Sequence, residues 1–176
     1  MQSQRSKFIT GVKAIKPTRP EDLGYDLRML SDRNESAYRD VFDVLVDDKS
    51  IGLVIKFPQR KHGKWLKRNI AHSMFEARAI DRMHHDPQLL ALKRYAPMLL
   101  WHEPETGVIV MPKYRPVSYG EYGEYFEGFQ HTFRCMLEDL IPNMRYEFDY
   151  GERNFGLNSR GDYVLLDAGL LGEVKK

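Results

Sequence analysis

The sequence predicts an α+β fold, and three observations carry that expectation. Two strongly apolar, β-branched runs, Val41 to Val46 (VFDVLV) and Ile51 to Phe57 (IGLVIKF), flank a short polar stretch. A helical pattern comes next, followed by a second pair of strand-like runs. A separate, phenylalanine-rich helix then precedes a terminal hairpin pattern. Strands before and after one helix, with a separate helical part later, point to α+β structure with two lobes.

Taken in order, residues 1–24 mix basic and small residues with Pro17 and Pro20, and read as an arm or linker, with room for one short edge strand. The two β-branched runs read as a hairpin closed by Asp47, Asp48, Lys49 and Ser50. The stretch Gln59 to Asn69 (QRKHGKWLKRN) is basic and reads as an exposed loop. Ile70, Met74, Ala77, Ile80 and Met83 then recur at helical spacing, and Asp86-Pro87 opens a short second helical stretch.

Met98 to Trp101 (MLLW) and Gly107 to Met111 (GVIVM) read as two more strands around a turn at Glu105, Thr106 and Gly107. Pro112 and Pro116 break regular structure in a segment carrying Tyr114, Tyr119, Tyr122 and Tyr125. Phe126, Phe129, Phe133, Met136, Leu137 and Leu140 trace one apolar helical face, which Pro142 closes. The run NFGLNSRGDYVLLDAGLL reads as two short strands about a turn at Asn158 to Asp162.

Composition narrows the classes. The chain has 176 residues, enough for one domain with a real core, and its 42% hydrophobic and 30% charged content is that of a folded protein. A formal charge of +2 gives no argument for nucleic acid, and one cysteine, Cys135, excludes an internal disulfide framework. No apolar run reaches the length of a membrane span, and no secretory, myristoylation or prenylation signal is present. These features lead to the expectation of a cytoplasmic protein with no membrane partner.

Five polar residues stand in an order that suits phosphoryl transfer. Such chemistry asks for positioning and positive charge around phosphates rather than for covalent work by the protein. Lys56 ends a strand and Glu76 lies on the following helix, so that a helix carboxylate can hold a strand lysine toward the α- and β-phosphates. Asn154 and Asp167 are oxygen donors that the terminal hairpin brings back toward one another, and hard oxygen ligands suit Mg²⁺. Asp149, five positions before Asn154, is placed to face an incoming hydroxyl.

Here the sequence resembles the protein-kinase superfamily. GLVIK is similar to the strand motif V-A-I-K, D-Y-G-E-R-N (Asp149 to Asn154) to the catalytic-loop pattern D-x-x-x-x-N, and LLDAG to the metal-binding D-F-G. The resemblance spans roughly residues 25–172. It implies a bilobal kinase-like fold over 25–176, with a small antiparallel-sheet N-lobe (about 25–112) and a truncated, mostly helical C-lobe (about 113–176). GVIVMPKYRPVS would hold adenine at the hinge, with Met111 and Lys113 among the nucleotide-binding residues beside Lys56, Asn154 and Asp167. Lys56, Glu76 and Asp149 would be the catalytic set, Asn154 and Asp167 the metal ligands, and ATP and Mg²⁺ the cofactors.

Three departures modify this expectation. SDRNESAYRDVF, where the family carries its glycine-rich loop, has no glycine; Glu147-Phe148 replaces the catalytic-loop His-Arg; and the sequence ends seven residues after Gly169, without the activation segment. The resemblance is thus to minimal kinase-like proteins of bacterial effectors and phages, which would act in a host cytoplasm if delivered there. It implies an ATP- and Mg²⁺-dependent kinase acting on Ser, Thr or Tyr of a partner protein. The alternatives are a pseudokinase serving as a binding module and a small-molecule kinase.

Other features read as structure first. Arg60, Lys61, Lys64, Lys67 and Arg68 around Trp65 suit a solvated loop better than a site for an acidic partner. The tyrosines suit packing at the start of the long helix as well as a cleft rim or partner surface. The six histidines lack metal-ligand spacing, adjacent His84 and His85 cannot face one site, and Cys135 reads as a small core residue.

Overall fold

The two β-branched runs form the strands expected of them, in a computed structural model that describes residues 2–30, 39–60, 63–117, 119–140 and 151–167. Strand β1 (Asp26–Met29) pairs with β2 (Arg39–Val46), and β2 with β3 (Lys49–Pro58). Asp47 and Asp48, both at positive φ (51° and 59°), make the tight turn between β2 and β3, a conformation that Asp tolerates and that matches strand twist. Strands β4 (Trp101–Glu103) and β5 (Val108–Pro112) complete a five-stranded antiparallel sheet in the order β1-β2-β3-β5-β4. The fold is α+β.

Helix α2 (Gly63–His85) fills the crossover between β3 and β4. It begins well before Ile70, so most of the basic stretch expected as a loop is its first turns. Lysine, arginine and leucine are good helix formers, and helix needs no apolar face where it stands in solvent. Trp65 is half exposed there, with the Arg68 guanidinium 5.3 Å over its ring. A 3-10 segment (Pro87–Tyr95) follows, its first turn capped by the Asp86 carboxylate, which accepts from the Gln88 amide at 3.0 Å. MLLW yields less strand than expected. The Met98 amide donates to the Tyr114 hydroxyl (2.9 Å) instead of to a ladder, and β4 starts only at Trp101.

Beyond β5, the two-residue β6 (Arg115–Pro116) pairs with β7 (Phe155–Leu157), and β7 with β8 (Tyr163–Leu165). Pro116 is accommodated because β6 is the edge of this three-stranded sheet. Helix α3 (Tyr119–Leu140) carries the phenylalanine face. Cys135 is exposed, not a core residue: it stands two positions from buried Phe133, about 200° round the helix. Pro142, expected to end α3, lies outside the described residues.

The arm expected over 1–24 is largely helix. Residues Gln2–Ile15 form α1, and Phe8 and Val12, one turn apart, are fully buried against the large sheet with Leu53, Ile55, Val108 and Val110. Arg5 donates to the Ile51 carbonyl at 2.6 Å, across Gly52 (φ 72°), where a side chain would collide with the guanidinium. A second core joins Ile80 and Met83 of α2 and Tyr95 to Phe126 and Phe133 of α3 and Phe155 of β7. No helix among the described residues is long and apolar enough to cross a membrane.

Candidate functional site

Alternation along the large sheet decides what meets what. Ile51, Leu53, Ile55 and Phe57 of β3 turn to the core that α1 covers. Val54 and Lys56 therefore turn to the opposite face. By register the same face holds Val41, across from Lys56, and Ile109 and Met111 of β5. Arg39 stands two positions before Val41 and so shares it.

On that face lies a closed set of two cations and two carboxylates. Lys56, 6% exposed and on a strand paired on both sides, donates to Glu76 Oε1 (2.7 Å) and to the Leu166 carbonyl (2.8 Å). Glu76, fully buried on α2, also pairs through Oε2 with Arg39 Nη1. Arg39 Nη2 reaches Asp167 Oδ2 at 2.7 Å. Burial, with Arg39 beside it, lowers the Lys56 pKa from 10.5 to about 7, while Asp167 pulls it partly back up. His72, one turn before Glu76 on α2, is also lowered, first by burial and then by Arg39.

Asp167 stands two positions beyond the end of β8 and is the most exposed member, with 38% of its side chain open. The Leu166 amide donates to the Asn154 carbonyl at 2.7 Å, which draws the 3-10 turn Glu152–Asn154 against the residue preceding Asp167. Lys56, Glu76 and Asp167 are thus brought together, and Asn154 is tied beside them through its backbone. Asp149 lies outside the described residues, as do positions 31–38.

The two hinge candidates sit differently. Met111 is buried opposite Val54 on the Lys56 face. Lys113 belongs to a second ionic group: its ammonium reaches Asp43 Oδ2 at 2.7 Å, and its amide donates to the Gly52 carbonyl at 3.0 Å. Asp43 is fully buried and also accepts from Arg28 and from Ser50, both at 2.6 Å. Burial works to raise its pKa, but the bonds from Lys113, Ser50 and Arg28 prevail and hold it below the ordinary value.

Arg39 is the member that sequence reasoning missed. The turn offered a signal, since counting back from it sets Arg39 and Lys56 on one face. An irregularity intervenes, where Ser50 to Val54 of β3 span Asp43 to Leu45 of β2, but it shifts the register without changing the face.

Chemically, the set offers two cations and one accessible carboxylate at the end of a strand. Among the described residues no group of three or more His, Cys, Asp or Glu could hold a metal ion. Mg²⁺, however, is commonly held by one or two protein oxygens with the remainder from phosphate and water, and the partly exposed Asp167 carboxylate is one such oxygen group.

No protein-family model and no curated protein matches the chain. Among 11 solved chains that match, the crystal structure of Cex1p aligns with 82% of this chain at 13% identity and a TM-score of 0.46. The alignment covers 26% of the Cex1p chain, and a likeness that weak carries no argument.

Proposed function

We propose that the chain is an ATP- and Mg²⁺-dependent phosphotransferase on a bilobal, protein-kinase-like plan, acting on a hydroxyl of a partner protein. The observation that supports it is the buried Lys56–Glu76 pair, from the third strand to the following helix, joined through Arg39 to Asp167. Kinase catalysis requires such a strand lysine and helix glutamate in contact, and a metal-binding aspartate in place.

On this reading Lys56 holds the α- and β-phosphates and Glu76 fixes its direction. Asp167 and Asn154 would hold Mg²⁺, which when bound offsets the charge of the phosphates. Asp149 accepts the proton of the acceptor hydroxyl as its oxygen bonds to the γ-phosphorus, and the bond to the ADP oxygen breaks.

A thermal-shift titration tests the binding half directly, because a ligand of the native state raises its melting temperature. ATP with Mg²⁺ is expected to raise the melting temperature of the wild type and to leave Asp167→Ala unmoved. No rise at millimolar ATP would favour the second reading, a kinase-like binding module. The observation on its side is that the Asp167 carboxylate already has Arg39 as a counter-ion.

A further inference from the structure

We propose that Arg39 is a second phosphate-binding cation of this site, passed from the Asp167 carboxylate to phosphate oxygens when nucleotide and metal arrive. The inference rests on the ATP·Mg²⁺ reading above and adds a residue to it.

Charge balance is the first argument. With Lys56 as an ammonium, Lys56 and Arg39 face Glu76 and Asp167 as two cations to two carboxylates, and the set is then neutral. Once Asp167 turns to a divalent cation, Lys56 and Arg39 are left sharing Glu76 alone. That is one positive charge in excess around a buried guanidinium, a costly arrangement unless an anion replaces the carboxylate. Phosphate oxygens are that anion.

Geometry is the second argument. Arg39 divides its fork: Nη1 is committed to fully buried Glu76, and Nη2 to Asp167, the solvent-facing partner. A planar guanidinium anchored on one edge can exchange one oxygen partner for another on its other edge with little movement, and arginine suits phosphate as well as carboxylate. The neighbouring Lys56 ammonium is held against the Leu166 carbonyl, so both cations lie at the same chain segment, 166–167.

Composition is the third argument. The segment before Arg39, SDRNESAY, contains no glycine to wrap its amides around phosphates. A cation at the head of β2 supplies attraction that such a loop would otherwise provide.

Calorimetric titration of the full chain with a non-hydrolysable ATP analogue plus Mg²⁺, and separately with adenosine, tests the assignment. The wild type is expected to bind both. Arg39→Gln should weaken the analogue about tenfold or more while leaving adenosine within about twofold. An equal fall for both ligands, or no fall for either, would overturn the role of Arg39 alone. A wild type that binds neither overturns the phosphotransferase reading, and this inference with it. Should Arg39→Gln not fold, the ¹⁵N resonance of the Arg39 Nε–H in the wild type, assigned with Arg39→Lys, decides. It should shift with the analogue and Mg²⁺ and stay put with adenosine; an unchanged resonance with bound analogue overturns the proposal.

Discussion

Lys56 is a charged side chain in a place where its charge is poorly solvated, and that has a consequence for stability. Its folded pKa is about 7 and its ordinary value is 10.5, the fall being due first to burial and then to Arg39. Between those values the unfolded chain keeps a proton that the folded protein gives up, so stability contributed through Lys56 rises with pH across that window. Comparing wild type with Lys56→Met cancels the other titrating groups. From about pH 7 to about pH 9.5, the difference in unfolding free energy should move in favour of the wild type. A difference that is flat across the window would mean that Lys56 stays an ammonium throughout. The Lys56–Glu76 pair was legible in the sequence because its partners lie on successive elements. Arg39 was not, because an arginine opening a strand ordinarily faces water. What buries it is Asp167, 128 positions along the chain, and Glu76 on another element.

Element by element, the segments that could be read were those whose burial follows a period. The β2–β3 hairpin and the 155–165 hairpin arise from β-branched or aromatic runs around polar turns, and α3 from its phenylalanine stripe. Helix α1 hid because its stripe is short: Phe8 and Val12 are its two fully buried residues, set among Lys, Ser, Thr and Gly. Those two anchors cover the sheet face opposite Lys56, so α1 is a structural part of the domain rather than an arm. Phe8 also meets Tyr25 edge-on at 4.9 Å. Phe8→Ala is therefore expected to cost about 3–5 kcal/mol in denaturant unfolding, as for other buried phenylalanines. A loss of only a few tenths would mean that α1 is dispensable to the sheet. The first turns of α2 hid for the opposite reason, since a run of lysine and arginine carries no apolar period even where the chain is helical.

In the molecule as a whole, the two hydrophobic cores have separate membership, and the ionic set is built from both of their frameworks. Arg39 and Lys56 come from the large sheet, Glu76 from α2, and Asp167 from the end of the small sheet. Helix α2 joins the two frameworks, since it packs against β3 and β5 of the large sheet while its Ile80 and Met83 enter the second core. Such shared elements favour one cooperative transition over two independent ones. The two tryptophans allow a test. Trp101 packs beside the first core, whereas Phe133 is buried in the second, edge-on to Tyr95 at 5.2 Å. In a Trp65→Phe background, Trp101 fluorescence reports the large sheet alone. Phe133→Ala should lower the stability read at Trp101 by about 3–5 kcal/mol, although Phe133 belongs to the other core. An unmoved Trp101 transition, with helix signal lost at lower denaturant, would mean that the cores unfold separately. The contacts through Arg39, Lys56 and Glu76 would then be too weak to couple them. The coincident result would make the ionic set a structural joint as well as a candidate phosphate site, so that any ligand replacing Asp167 on Arg39 would act on the stability of both cores together.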